Sequence, residues 1–512
     1  MSGSAEIFLW QEHEISFTAV RAIEDPYRSI AWDVKFTHES GREISRPVFW
    51  DGGNTWRVRF APTLTGLWTW KYSEESNFRT DATATLNATK DESAHLYYTR
   101  GFWNIPKGSR NLIHADGQPG LLVGDTAWAL PWRATIDDVR VYAADRQNKG
   151  FNASLLMTMQ PDMRAIGPRA RGVDQGFEVA FEDMKDGHLN EINIDYFKYL
   201  DEIISVLVEH EIVPVYQPLF FGFGWKGLDV AGPVVPPEEY ARYCRYLVAR
   251  FGARPAIYLV GADGTGYEPQ IQAGGEEIER CDAYCQPTGL HYRPHSLANA
   301  HQSAEWLDFQ WCQTGHGGEH IQERVRDLWR NQPVKAVANG EPTYEQSGSV
   351  EKATGWWQGH EAWANLFAGG TMGVIYGAGS LWMWRVHSEE AELETGFLSP
   401  HSGWREALSF DGSKYVGLIG KILSGLPIAQ MQPYWENVWC PRGLLVPNVL
   451  FLVYQENGDA LTIFDQTLVP KKFRVVDPRS GEILSQGQLK EDSRIVGIKL
   501  THPTVYIFSV DI

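Results

Sequence analysis

Two short apolar runs in this chain each end in a carboxylate. Lys335-Ala-Val-Ala-Asn-Gly-Glu341 runs into Pro342-Thr-Tyr-Glu345, and Ala256-Ile-Tyr-Leu-Val-Gly-Ala-Asp263 closes on an aspartate. Carboxylates at the carboxyl ends of two parallel strands fit acid-assisted glycoside hydrolysis, in which one group protonates the leaving oxygen while the other meets an oxocarbenium-like centre. The roles divide as proton donor at Asp263 and nucleophile at Glu341, because opposite positions across a barrel mouth hold carboxyls roughly 5 Å apart, the retaining geometry. Glu345 follows so closely that it stands as the rival nucleophile.

Other strand ends supply a polar and aromatic set. Asp125 and Trp128 follow the first run, His291 and His295 the fifth, Gln313 and His316 the sixth, Tyr344 the seventh, and Tyr376, Trp382 and Trp384 the eighth. Hydroxyl-binding groups beside flat aromatic faces are what a sugar site needs. A lone strand-end carboxylate is more often a helix cap or an arginine partner, so Asp125 is read both as a hydroxyl ligand and as a cap. Cys281-x-x-x-Cys285 near His291 lacks a second ligand pair, which argues against a metal site. With no phosphate-cradling glycine loop and no Gly-x-Ser-x-Gly elbow at a strand end, no cofactor and no serine nucleophile are expected.

The elements that must hold these residues are legible in the periodicity. Eight strand candidates, 120–124, 153–157, 213–216, 257–260, 290–292, 309–312, 334–338 and 373–376, alternate with segments of helical spacing. Thr135-Ile-Asp-Asp138 reads as a capping box opening a helix that Gly150 closes. Ile192, Phe197, Leu200, Ile203, Ile204, Leu207 and Val208 form one apolar stripe, and Pro237 opens a further helix stopping by Gly252. Before and after this region, short alternating runs such as Trp56-Arg-Val-Arg-Phe60 and Val505-Tyr-Ile-Phe-Ser-Val510 read as antiparallel sheet. The expected architecture is a central (β/α)8 TIM barrel over 96–428, flanked by β-sandwich domains over 1–95 and 429–512.

Composition narrows the partners. A net charge of −18 disfavours nucleic acid and anionic membranes, and the 21 Trp, 21 Tyr and 23 Phe supply either core packing or sugar platforms. Five dispersed cysteines do not read as a disulfide framework. Met1 to Trp10 lacks a basic start and a long apolar stretch, so the expected location is cytoplasmic; a secreted or periplasmic protein whose leader has been removed would read the same. The oligomeric state is not legible.

The chain resembles the apiosidase-like glycoside hydrolases. The resemblance rests on Phe49-Trp-Asp-Gly-Gly-Asn-Thr-Trp-Arg-Val-Arg-Phe-Ala-Pro62, Gly66-Leu-Trp-Thr-Trp70, Gly124-Asp-Thr-Ala-Trp128, Ile257 to Asp263, Gln313-Thr-Gly-His316, Gly340 to Glu345 and Met372-Gly-Val-Ile-Tyr-Gly377, taken in order. It implies a barrel hydrolase of retaining mechanism with Asp263 as acid/base and Glu341 as nucleophile. Where the family has Gly-Gly-Asp this chain has Gly261-Ala262-Asp263, and where related retaining barrels carry Asn-Glu on strand four it carries Ala262-Asp263. The shorter acid points to a furanosidic sugar such as apiose or arabinofuranose in plant or microbial glycosides. An endo-acting cellulase- or mannanase-like enzyme on pyranose chains and a non-catalytic carbohydrate-binding protein remain as alternatives.

Overall fold

The structure is a computed structural model, and it describes residues 4–29, 31–74, 76–165, 179–222, 229–294, 299–316, 322–347, 354–386, 402–435, 442–490, 495–496 and 499–510. Eight parallel strands form the centre: β1 (Leu122–Thr126), β2 (Ala153–Met157), β3 (Val213–Gln217), β4 (Ile257–Leu259), β5 (Thr288–His291), β6 (Phe309–Gln313), β7 (Ala336–Glu341) and β8 (Gly373–Tyr376). Each pairs with the next from β1 to β7, and β8 returns to pair with β1. At the seam between β7 and β8 no ladder forms among the described residues. A single backbone bond from Met372 N to Val337 O (3.4 Å) crosses it, and above it Glu345 N donates to Gly377 O (2.8 Å). The result is a nearly closed barrel of the TIM type.

The strands are buried on both faces, which is why they read as near-continuous apolar runs. Val123, Leu156, Tyr216, Leu290, Val337 and Val374 pack with the helices in one cluster, while their neighbours Leu122, Leu155, Val215, Phe309, Ala336 and Ile375 belong to the other. That second cluster fills the barrel interior and runs on into Phe17, Phe36 and Trp68 of the leading sheets.

Helix α1 (Ile136–Lys149) opens on the expected capping box, with both Thr135–Asp138 bonds formed. It ends on Gly150 at φ +102°, where a Cβ would lie 2.7 Å from Gly417 O, so both backbone conformation and close approach require glycine. Helices α2 (Ile194–Glu209) and α3 (Pro237–Phe251) follow β2 and β3, α4 (Pro269–Cys281) follows β4, α5 (Glu323–Trp329) follows β6, α6 (Trp356–Phe367) follows β7 and α7 (Asp411–Leu423) follows β8. No helix among the described residues is long and apolar enough to cross a membrane.

Ahead of the barrel lie a five-stranded and a four-stranded sheet built from residues 5–89, and after it a six-stranded antiparallel sheet spanning 432–509 with a separate two-stranded pair. A buried ion network fastens the leading sheets to the barrel. Asp201 on α2 accepts from Arg59 (2.5 and 3.1 Å) and from Arg250 (2.7 Å), and Arg250 also reaches Asp51 (2.9 Å). Removing one partner strands the remaining buried charges, so Asp201→Ala is expected to lower unfolding stability by about 3 kcal/mol. Denaturant titration checks it, and a loss under about 1 kcal/mol would mean the network is solvated like a surface pair.

Candidate active site

The two strand-end carboxylates meet at the top of the barrel. Oxygens of Asp263, just beyond β4, and of Glu341, the last residue of β7, come within 4.8 Å, with His291 of β5 between them. All three are buried. They line one cavity with Trp128, Leu155, Gln217, Phe220, Ala262, Tyr344 and Trp382.

Local backbone geometry aims the acid. Asp263 sits at φ +57°, a left-handed conformation that aspartate tolerates better than most residues, between parallel bridges at Ala262 with Phe220 and at Gly264 with Tyr292. Gly222 closes over it; a Cβ there would lie 2.6 Å from Asp263 Cβ. Ala262, the departure noted in the sequence, lines the cavity beside the acid.

The carboxyls are driven apart electrostatically. Burial first, and the negative charge of Glu341 second, push Asp263 well above the usual carboxylate range. Burial alone would raise Glu341 too, but it is outweighed by the His316 hydrogen bond and charge, His291 and the Gln313 amide, which together hold Glu341 below its ordinary value. His316 Nε2 lies 2.8 Å from Glu341 Oε1, its Nδ1 accepts from Tyr344 N (3.3 Å), and its ring packs against Tyr344 at 4.1 Å, tilted by 36°. A proton shared by the pair therefore rests on Asp263 in preference to Glu341, the division that an acid/base and a nucleophile require.

Trp128 and Trp382 stack at 5.1 Å and 17° and form an aromatic wall. Asp263, Glu341, His291, Gln313, His316, Tyr344, Trp128 and Trp382 are thus brought together. Three expected ligands are not. Asp125 lies within β1 rather than beyond it, fully buried, with Oδ2 2.6 Å from Arg146 Nε on α1. It is an arginine partner, because the strand runs two residues further than its apolar pattern predicts. Tyr376 turns its hydroxyl to Glu345 Oε2 (2.7 Å), and Trp384 stacks on Trp404 at 4.6 Å. Glu345, the rival nucleophile, also accepts from Gly355 N (2.8 Å) and Gly412 N (3.3 Å); it pins α6 and α7 and does not line the cavity. His295 lies outside the described residues.

Gln217, which ends β3, was missed. The tip of β3 carries the signal in Tyr216-Gln217-Pro218, a polar residue after an apolar run and before a chain-breaking proline. Asp263, His291 and Glu341 are also the one group among the described residues whose donor atoms stand close enough to hold a metal ion.

Comparison with known proteins agrees with this geometry. The family model described as "Apiosidase-like, catalytic domain" matches residues 106–430, and a domain of unknown function (DUF5060) matches residues 6–75. A putative glycoside hydrolase from Bacteroides vulgatus superposes with a TM-score of 0.72 at 15% identity, covering 99% of this chain and 100% of that one. A family 5 glycoside hydrolase from the same species gives 0.66 at 20% identity, covering 81% and 95%. A further structure described as a glycoside hydrolase gives 0.66 at 18% identity, covering 81% and 98%. No curated protein matches. With the matched region spanning the whole barrel and both strand-end carboxylates, the chain belongs to the apiosidase-like family and is a glycoside hydrolase.

Proposed function

We propose that the enzyme is a retaining glycosidase acting on plant or microbial glycosides, with Asp263 as acid/base and Glu341 as nucleophile. The observation that carries the reading is the close pair of buried carboxyls with oppositely displaced proton affinities. In the first step a Glu341 oxygen bonds to the anomeric carbon as the glycosidic bond breaks, and the Asp263 proton passes to the leaving oxygen. In the second, Asp263 takes a proton from water, whose oxygen bonds to the anomeric carbon and releases Glu341. Trp128 and Trp382 offer a sugar platform, and His291, His316, Gln313 and Tyr344 hold the nucleophile or meet hydroxyls.

The short acid beside Ala262 favours a furanosidic sugar such as apiose or arabinofuranose, and the family description supports the same class. The sheets at either end are read as β-sandwich domains over 1–95 and 429–512. Turnover of aryl furanosides and pyranosides, followed by proton NMR of the first-formed anomer, tests the proposal. The same anomeric configuration in substrate and first product is expected. An inverted first product would overturn the mechanism, and exclusive cleavage of pyranose oligomers would transfer the enzyme to the cellulase- or mannanase-like class.

A further inference from the structure

Three side chains on three segments of the barrel top form a directed hydrogen-bond relay under the cavity. The Trp128 indole has only a donor, and its Nε1 lies 3.0 Å from Gln217 Oε1. The amide nitrogen of Gln217, also a donor, is therefore the group 3.0 Å from His291 Nδ1. Burial holds the His291 ring below its ordinary proton affinity, so it is neutral at pH 7, and a neutral imidazole that accepts at Nδ1 carries its proton on Nε2. That Nε2 lies 3.5 Å from Glu341 Oε2 and has no hydrogen-bond partner of its own among the described residues.

We infer that Gln217, aimed by Trp128, is a positioning residue that locks His291 in the Nε2–H form and so points a neutral N–H at the second oxygen of Glu341. The inference rests on Glu341 being the nucleophile. His316 already holds the first oxygen at 2.8 Å, so the carboxylate faces a histidine nitrogen on each side. In the other tautomer the lone pair of Nε2 would face Oε2, and the repulsion would favour protonation of the group that must attack ionised. The titratable neighbours bearing on this balance are His316 beyond β6, Tyr344 beyond β7 and Asp263 beyond β4, whose Oδ1 is 4.0 Å from His291 Nδ1.

The test uses the full chain labelled with nitrogen-15 in its histidine rings, with His291→Gln assigning the resonance. Wild type is expected to show a bare Nδ1 and a protonated Nε2. Gln217→Glu sets an acceptor against Nδ1 and is expected to move the proton there, raising the acid limb of the kcat/KM profile by about one pH unit. Activity on that limb then falls about tenfold while the plateau changes less. Trp128→Phe, which frees the amide to turn over, is expected to give both tautomers and an intermediate displacement, and it serves if Gln217→Glu does not fold. A proton on Nδ1 in wild type overturns the inference. So does an equal loss of kcat/KM at every pH in both variants with an unmoved acid limb, the mark of a packing role alone. If wild type cleaves no glycoside, the proposed function fails, whereas the ring resonances still decide the tautomer.

Discussion

Glu341→Ala is expected to abolish turnover, with kcat/KM on an activated aryl glycoside falling roughly 10⁴-fold or more, the scale of removing a nucleophile from a hydrolase. The side chain is buried, is held by His316 and faces Asp263 within 4.8 Å, so no other described carboxylate can take its place. Glu345 is committed to Tyr376, Gly355 and Gly412. The truncation leaves a small space beside the anomeric carbon, into which azide is expected to enter and restore turnover, releasing a glycosyl azide of inverted configuration. Equal rates for wild type and variant would remove Glu341 from the mechanism.

Asp263→Asn separates acid from nucleophile. Substrates whose leaving group needs a proton are expected to lose about 10²–10⁴-fold, the worth of a positioned general acid, whereas aryl glycosides with very acidic phenols lose far less in the glycosylation step. The wild-type pH profile follows from the two displacements. Activity falls on the acid side as Glu341 gains a proton, at a pH below the ordinary carboxyl value, and on the alkaline side as Asp263 loses its own, well above it. The alkaline limb is expected to vanish in the asparagine variant.

Stability carries the same signature. A carboxyl whose proton is held more tightly in the folded state stabilises the protein below the unfolded-state value, and that contribution is lost as pH rises through the folded-state value. Asp263→Asn is therefore expected to gain unfolding stability relative to wild type as the pH is raised, as measured by denaturant titration. A leaving-group-independent loss of rate would end the acid assignment.

The barrel and the meeting of Asp263 with Glu341 at its mouth were legible because strands buried on both faces read as apolar runs and because polar residues gather at their carboxyl ends. Strand limits were less so. An apolar pattern marks where the apolar side chains end, whereas both burial and the ladder run on into polar residues. β1 extends through Asp125 and Thr126, because a charge can sit inside a strand once Arg146 answers it. β7 likewise extends to Glu341 itself. Trp384 and Tyr376 were drawn to the site by proximity along the chain, yet Trp404 and Glu345, partners distant in sequence, decide where they point. Gln217 stands at a strand tip that Pro218 marks, but its part emerges only from what stands on either side of it in space.

The Arg59, Asp51, Asp201 and Arg250 network has a consequence for how the chain can be divided. A barrel excised at residue 96 would keep Asp201 and Arg250 while shedding Arg59 and Asp51, and would bare the apolar floor that Phe17, Phe36 and Trp68 now share with the barrel interior. The leading segment is thus a foundation course rather than an optional attachment. Fusion partners and tags belong outside it, never at the seam.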